Sequence, residues 1–276
     1  MTFLTCLTWN TAKRLKSVKE QSNLIITNNP DIVALQEITL NTEKYFKNLL
    51  ESNYKNVISS FDLAKNKNIL KNKRMFGQII ATNFDIKPLD PLNFKIPWNE
   101  RVLSVLVNLQ NFTFNFHTTH IPPGSSNGWI KIETLEGIYN RIKELKDEFN
   151  ILCGDFNTPK DEDLTNGLMT FAQRIDSKGT LKTKVKLRGG CGYRWDKGER
   201  NIFLKLKEYG VVDSFRTLFS YNVNQYSWTF RNRDKIIKRR FDHFFASRKF
   251  KVITANYLHR YKNLSDHCPL IVKYEI

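Results

Sequence analysis

In the stretch Phe149-Asn150-Ile151-Leu152-Cys153-Gly154-Asp155-Phe156-Asn157, a short apolar run stops at a glycine, and a carboxylate and a carboxamide follow two residues apart. Ile151-Leu152-Cys153 has the composition of a buried strand. Gly154 ends it where the backbone needs room. Side chains alternate along an extended chain, so Asp155 and Asn157 point one way and Phe156 points back toward packing. A carboxylate beside a carboxamide can orient a water, help hold a metal ion and grip a phosphate oxygen. Taken alone, the segment is equally a Gly-Asp turn with an Asx cap. Other strands of the chain that end the same way separate the two readings.

The 276 residues are 41% hydrophobic and 13% aromatic, which describes a folded chain with a large core and not a disordered one. No repeat, low-complexity linker or boundary interrupts it, so residues 1–276 read as one catalytic domain. Lys and Arg number 44 against 27 Asp and Glu, a formal charge of +17. So positive a field favours a polyanionic partner, most simply nucleic acid and less simply an anionic membrane. Cys6, Cys153, Cys191 and Cys268 have neither zinc spacing nor the pattern of a disulfide framework. The N-terminal residues lack the basic start and long apolar core of a signal peptide. The uncharged stretch between Arg101 and Lys131 is broken by Asn, His, Thr and Pro, so it is not a membrane span. A cytoplasmic monomer is the default expectation.

Outward from the opening stretch, strand-like and helix-like segments alternate. Thr2 to Trp9 predicts a strand ending on Asn10, and Ser17 to Asn28 has helical spacing stopped by Asn28-Asn29-Pro30. Asp31 to Glu37 is an apolar run terminating in Glu37, and 40–52 is helical again. Strands are expected near 55–61 and 76–82, flanking the basic loop Lys65 to Arg74. Val102 to Leu109 and Phe112 to His120 predict a hairpin about Gln110-Asn111, with Phe112, Phe114 and Phe116 on one face. A helix over 130–148 leads into the opening stretch. Residues 158–197 read as a long functional loop with a short helix near 163–174. Residues 199–209 read as a helix ended by Gly210, and 211–216 as a short turn or helix. Strands follow at 226–230, 240–247, 252–257 and 269–274. Strands outnumber helices, which fits a two-sheet sandwich with helices outside.

Six strand ends then carry groups suited to phosphate chemistry: Asn10, Glu37, His120, Asp155 with Asn157, Asp242, and Asp266 with His267. Each alone has a structural explanation as a cap, an ion pair or a satisfied loop histidine. Together, four carboxylates would repel one another without a cation. Mg²⁺ suits them because it takes oxygen ligands, keeps waters and binds substrate phosphates, and Mn²⁺ is the substitute. In Ser265-Asp266-His267 the aspartate could fix the tautomer of its neighbour. A nucleophilic-serine reading lacks an elbow such as G-x-S-x-G.

At these residues the chain resembles the endonuclease/exonuclease/phosphatase superfamily. The resemblance is carried by Thr8-Trp9-Asn10, Leu35-Gln36-Glu37, Thr119-His120-Ile121-Pro122-Pro123-Gly124, Gly154-Asp155-Phe156-Asn157, Arg240-Phe241-Asp242 and Ser265-Asp266-His267. Glu199-Arg200, Gly210 to Arg216, Ser227-Trp228 and Asp242 to Ser247 look most like the exonuclease III branch, which includes abasic-site endonucleases. The resemblance implies a four-layer α/β/β/α sandwich with its active site at one end of the sheets. It implies that Glu37 binds the metal with help from Asn10 and Asp266, that Asp155 positions or deprotonates the attacking water, and that Asn157 orients it. It further implies that His267, held by Asp266, contacts the scissile phosphate, with Asp242 supporting the metal or the histidine. His120 stands where abasic-site endonucleases of this branch usually have Tyr, and its roles are phosphate contact or leaving-group protonation.

The segment 231–240 carries six cations against Asp234 and should rim the site, offering Arg231, Arg233, Arg239 and Arg240 beside Trp228 to substrate. Lys182, Lys184, Lys186 and Arg188 form a second basic cluster before Gly189-Gly190. The expected function is a Mg²⁺-dependent DNA phosphodiesterase acting on duplex DNA, as a repair exonuclease or abasic endonuclease. The alternatives are an enzyme of the same fold acting on RNA, protein–DNA adducts, inositol phosphates or lipids, and, third, a non-catalytic nucleic-acid binder.

Overall fold

The computed structural model describes residues 2–109, 112–165 and 167–276. Two six-stranded sheets form the frame. The strands are β1 (Phe3–Asn10), β2 (Ile32–Ile38), β3 (Asn56–Ser59), β4 (Gly77–Thr82), β5 (Asp85–Pro88), β6 (Val102–Leu109), β7 (Phe112–His120), β8 (Asn150–Asp155), β9 (Val211–Asp213), β10 (Asp242–Ser247), β11 (Lys251–Tyr257) and β12 (Leu270–Glu275). One sheet runs β11-β12-β1-β2-β4-β3 and the other β9-β10-β8-β7-β6-β5. The pairs β1/β2 and β7/β8 are parallel and the remaining neighbours antiparallel. A parallel pair needs a long crossover. Helix Val18–Asn28 supplies it in the first sheet and helix Ile130–Glu144 in the second.

Alternation sorts the core into three layers. Leu4, Cys6, Ile32, Ala34, Val105, Phe114, Phe116, Ile151, Cys153, Phe244 and Val272 pack between the sheets. Leu7, Trp9, Val33 and Leu35 point outward from the first sheet to Val18, Ile25, Phe46 and Leu50. Leu152 and Phe245 point outward from the second sheet to Ile132, Leu135, Ile138 and Ile202. The result is the four-layer α/β/β/α sandwich expected. Cys6, Cys153 and Cys268 are buried free thiols and Cys191 is exposed.

The main departures lie between 158 and 200. Among the described residues no helix forms near 163–174; short antiparallel pairs occupy the segment, at Asp161–Asp163 with Gly167–Met169 and Gln173–Ile175 with Leu181–Thr183. Polar, β-branched and glycine-rich sequence closes such hairpins more readily than a helix. The following helix begins earlier than read, at Gly192, and continues through a π turn and a 3₁₀ turn to the left-handed Gly210. The helix before β8 ends at Glu144, short of 148. The basic run 231–240 is half of a hairpin, Trp228–Asn232 paired with Lys235–Arg239. The hairpin turn expected at Gln110-Asn111 lies outside the described residues.

Candidate active site

Asn10, His120 and Asp155 continue the inward-facing parity of Leu4/Cys6, Phe114/Phe116 and Ile151/Cys153, each at the last position of its strand. Asp242 opens β10, which is antiparallel to β8 and pairs Asp242 with Asp155. Carboxyl ends of the parallel strands and amino ends of their antiparallel neighbours therefore meet at one end of the sandwich. Just beneath, Gln36 Nε2 donates to Thr8 Oγ1 and Thr118 Oγ1, both at 2.9 Å, joining the sheets below the site.

Two backbone irregularities aim the side chains. The register of β2 against β4 slips between Leu35 and Ile38, and Glu37 sits there at φ +55°. That bulge turns Glu37 toward Asn10. Gly154 has φ +128°, and a Cβ there would lie 2.0 Å from the Thr119 carbonyl oxygen. Only glycine lets β7 and β8 approach with Asp155 in place.

Asp155 Oδ2 is the hub. It accepts from Asn10 Nδ2 at 2.9 Å and Asn157 Nδ2 at 3.2 Å, with His120 Nε2 at 3.7 Å and His267 Nε2 at 3.8 Å. Asp155 Oδ1 accepts from the Asn157 N–H at 2.8 Å. Burial nevertheless pushes the Asp155 carboxyl up to about 7, with the nearby Asp242 adding to the rise and His267 opposing it. Glu37 is likewise pushed up by burial, and its Oε1 accepts from Asn10 Nδ2 at 3.2 Å. Asn10 thus presents its nitrogen to both carboxylates, while its oxygen accepts from the Ala12 N–H at 2.9 Å. In this arrangement it braces the two carboxylates.

His267 Nδ1 lies 2.6 Å from Asp242 Oδ2. Burial opposes its charge, but Asp242 and Asp155 outweigh burial and raise the imidazole to about 10, so it is a cation at neutral pH. Asp242, and not the adjacent Asp266, holds it. A residue next in sequence on an extended chain points the other way, and the Asp266 carboxylate accepts from Trp228 Nε1 at 3.1 Å.

His120 has the opposite character. Arg101 Nη1 is 2.6 Å from His120 Nδ1. A guanidinium has no lone pair to offer, so Nδ1 accepts and the proton resides on Nε2. Burial, then Arg101 and His267, hold the ring well below its ordinary value, as a neutral donor 3.6 Å from Glu37 Oε1. Arg101 is buried behind it and was invisible in sequence, where it is one cation among 44 Lys and Arg.

Asn157 is fixed at φ +50°. Its Nδ2 also donates to the Ile121 carbonyl at 2.9 Å, and its own carbonyl accepts from Lys131 Nζ at 2.9 Å. Lys131 is buried, ion-paired with Glu199 at 2.6 Å, and its ammonium lies 4.5 Å from the Phe171 ring centre. No sequence signal marked this lysine, which stands in a helix that reads as amphipathic.

These groups open into a cavity of about 420 Å³ lined by Glu37, Asp155, Asn157, Asp266 and His267 and, further out, by Trp228, Phe241, Phe171, Lys184, Arg188 and Arg239. A larger open groove of about 900 Å³ along helix Ile130–Glu144 has lysines and arginines alternating with Glu133, Glu136 and Glu144 and no converging catalytic groups. Among the expected substrate contacts, Trp228 and Arg239 line the cavity, and Arg231 and Arg233 are exposed near the tip of the hairpin. Arg240 does not belong with them. It is buried and paired with Glu162 and Asp213, each at 2.7 Å, because alternation along its strand turns it away from Arg239. In the Lys65 to Arg74 loop, Arg74 is taken up by Glu100 at 2.6 Å.

The residues present fit a divalent cation. Glu37 and Asp155 converge with His120, and Asp155 and Asp242 with His267; both rings carry a proton on Nε2, so the carboxylate oxygens are the ligands on offer, and burial raises the Glu37 and Asp155 carboxyls although His267 opposes the rise. No cysteine joins either group among the described residues.

Fold and site together define a hydrolase of phosphate esters. The chain belongs to the Endonuclease/Exonuclease/phosphatase family, whose profile matches residues 7–267. An exodeoxyribonuclease of Bacillus subtilis (strain 168) is 31% identical over 169 residues, covering 56% of this chain and 58% of that protein. The chain thus aligns with little more than half the length of this curated relative. Among solved structures, an AP endonuclease from Archaeoglobus fulgidus superposes with a TM-score of 0.67 at 18% identity, covering 99% of this chain and 100% of the other. The 3′ phosphatase NExo from Neisseria, bound to a product DNA hairpin, gives 0.67 at 19% identity, with the same coverage. The TDP2 of D. rerio, complexed with a single-strand DNA product, gives 0.65 at 14% identity over 100% of both chains. At these identities the likeness to solved structures is one of fold. No helix among the described residues is long and apolar enough to cross a membrane.

Proposed function

We propose that this chain is a divalent-metal-dependent nuclease of the exonuclease III kind, with Mg²⁺ or Mn²⁺ as cofactor and duplex DNA as substrate. The observation that carries the reading is the ring of donors from Asn10, Asn157, His120 and His267 around one oxygen of Asp155. Glu37 and Asp266, which both line the cavity, would hold the cation. A cation there supplies positive charge next to the phosphate oxygens. Asp155 takes the proton of the attacking water. Asn157, its nitrogen engaged with Ile121 and Asp155, orients that water through Oδ1. The His267 imidazolium donates through Nε2 to a non-bridging phosphate oxygen and offsets the charge that grows as the water attacks. Neutral His120 donates through Nε2 to the same phosphate, which favours phosphate contact over leaving-group protonation among its expected roles.

The charge of +17 and the basic hairpin beside the cavity support a nucleic-acid substrate over a small phosphate. A panel of abasic duplex, blunt duplex, single-stranded DNA, RNA and an inositol phosphate, each with Mg²⁺ and with excess EDTA, tests the reading. DNA is expected to be cleaved, with activity abolished by EDTA and restored by Mg²⁺ or Mn²⁺. Cleavage of the inositol phosphate alone, or full DNA hydrolysis in EDTA, overturns it.

A further inference from the structure

The cavity that holds the catalytic groups also carries positive charge with little among the described residues to offset it. Lys184, Arg188 and Arg239 line it, and none of the three forms an ion pair among the described residues. The contrast with Arg74, Arg194, Arg216 and Arg240 is plain, since each of those is held by a carboxylate. Arg239 is half-buried, its guanidinium 4.9 Å from the Phe171 ring centre and 5.8 Å from that of Phe241. Arg188 donates through Nη1 to the Ser125 carbonyl at 3.1 Å, which leaves its remaining N–H groups available.

We propose, resting on the nuclease reading above, that Lys184, Arg188 and Arg239 form a second anion subsite, which takes a phosphate one nucleotide away from the phosphate being cleaved. The aromatic surfaces of Trp228, Phe241 and Phe171 lie in the same cavity. They suit the flat faces of the nucleoside that joins two such phosphates. A guanidinium fork is the donor that matches a phosphate.

The electrostatics agree with the geometry. The ammonium of Lys160 is held below its ordinary value first by burial and then by Lys184 and Arg239. Arg239 is lowered by burial, with Asp161 the only acid opposing it. Lys131 is lowered by burial, with Arg239 adding to the effect against its partner Glu199. Crowded like charges of this kind are relieved by a bound anion. The phosphate could be a terminal monoester or the next diester of a longer strand; the chemistry recognised is the same.

Four chromogenic substrates test this with Mg²⁺: the p-nitrophenyl ester of thymidine 5′-phosphate with a 3′-hydroxyl or a 3′-phosphate, and the 3′-phosphate ester with a 5′-hydroxyl or a 5′-phosphate. In one of the two series the second phosphate is expected to raise kcat/KM about tenfold, the worth of a charge-assisted contact. In Arg239→Gln and in Lys184→Gln that ratio should fall toward one. Methylating the second phosphate separates the sources: a retained gain identifies an internal strand phosphate, and a lost gain identifies a terminal monoester. No gain in either series, or a gain intact in both variants, overturns the proposal. Should neither parent ester be cleaved, the nuclease reading is decided by the DNA panel above. The subsite is then judged by calorimetry with thymidine 3′,5′-bisphosphate against the two monophosphates, and equal affinities refute it.

Discussion

Replacing Asp242 by Asn keeps the shape beside His267 and removes the charge that makes it a cation. With Asp242 at 2.6 Å the imidazole is raised to about 10, so it stays protonated across the neutral range. Without that charge it should fall toward the ordinary value of ~6.5, or lower because it is buried. At pH 7.5 such a histidine is about one-tenth protonated, and at pH 9 about one part in three hundred. If the imidazolium is the donor to the phosphate, kcat of Asp242→Asn should be lower than wild type by about tenfold at pH 7.5. The deficit should widen by about another thirtyfold by pH 9. The assay is single-turnover cleavage of a labelled DNA substrate with Mg²⁺ from pH 6 to 10. With Mg²⁺ bound, Asp155 should titrate below its metal-free value of about 7, so the wild-type rate should stay level through the neutral range and decline at the alkaline end, as His267 loses its proton. The same shift acts on folding: the folded value is raised, so the ion pair's full contribution is present below ~6.5 and is lost as pH rises through about 10. A constant ratio of wild type to variant between pH 7.5 and 9 would refute the cationic role, and a merely structural aspartate would give that result.

Other perturbations separate folding from chemistry. Asp155→Asn should abolish cleavage. Because the folded carboxyl is raised to about 7, its ionised form costs stability above that pH. Mg²⁺ should therefore raise the wild-type Tm much more than the variant's; equal gains contradict the assignment. Gly154→Ala should destabilise by more than ~3 kcal/mol in urea, since its Cβ meets the Thr119 carbonyl at 2.0 Å; a normal midpoint would show that β7 and β8 can part. Arg240→Met should act through stability, since breaking a buried pair costs about 3–5 kcal/mol. Replacing Arg231 and Arg233 by Ser should leave the midpoint alone and flatten the salt dependence of duplex binding, by about 0.9 in log–log slope per lost phosphate contact. Exchanged effects would reverse the two assignments.

What was legible in the sequence follows from parity and strand ends. Ile151/Cys153 continue into Asp155 and Phe114/Phe116 into His120, so the residues that make the core also aim the catalytic groups. Local spacing carries that information. It does not carry partners fixed by tertiary approach. Asp266 was paired with His267 because they are neighbours in sequence, yet Asp242, 25 positions away, holds the ring. Arg240 was grouped with Arg239 as a substrate contact, and strand alternation puts one inside and the other in the cavity. The segment 163–174 reads in sequence as a short helix within a loop, but its short hairpins answer to turn chemistry and to packing against the helix that follows.

The two histidines show why the remaining chemistry could not be read from composition. Both are buried within reach of Asp155 Oδ2, so desolvation alone would keep both neutral. The charge behind each ring decides otherwise. A carboxylate at Nδ1 makes His267 a cation, and a guanidinium at Nδ1 makes His120 a neutral donor. In both cases the group at Nδ1 leaves Nε2 as an N–H directed at one place, the space above Asp155 where a phosphate must sit. One ring adds a full positive charge to that space and the other adds only a dipole. Were both cationic, they and Arg101 would crowd three charges around a site that must also accept a divalent ion. The opposite partners at Nδ1 thus supply two donors while leaving room for the metal.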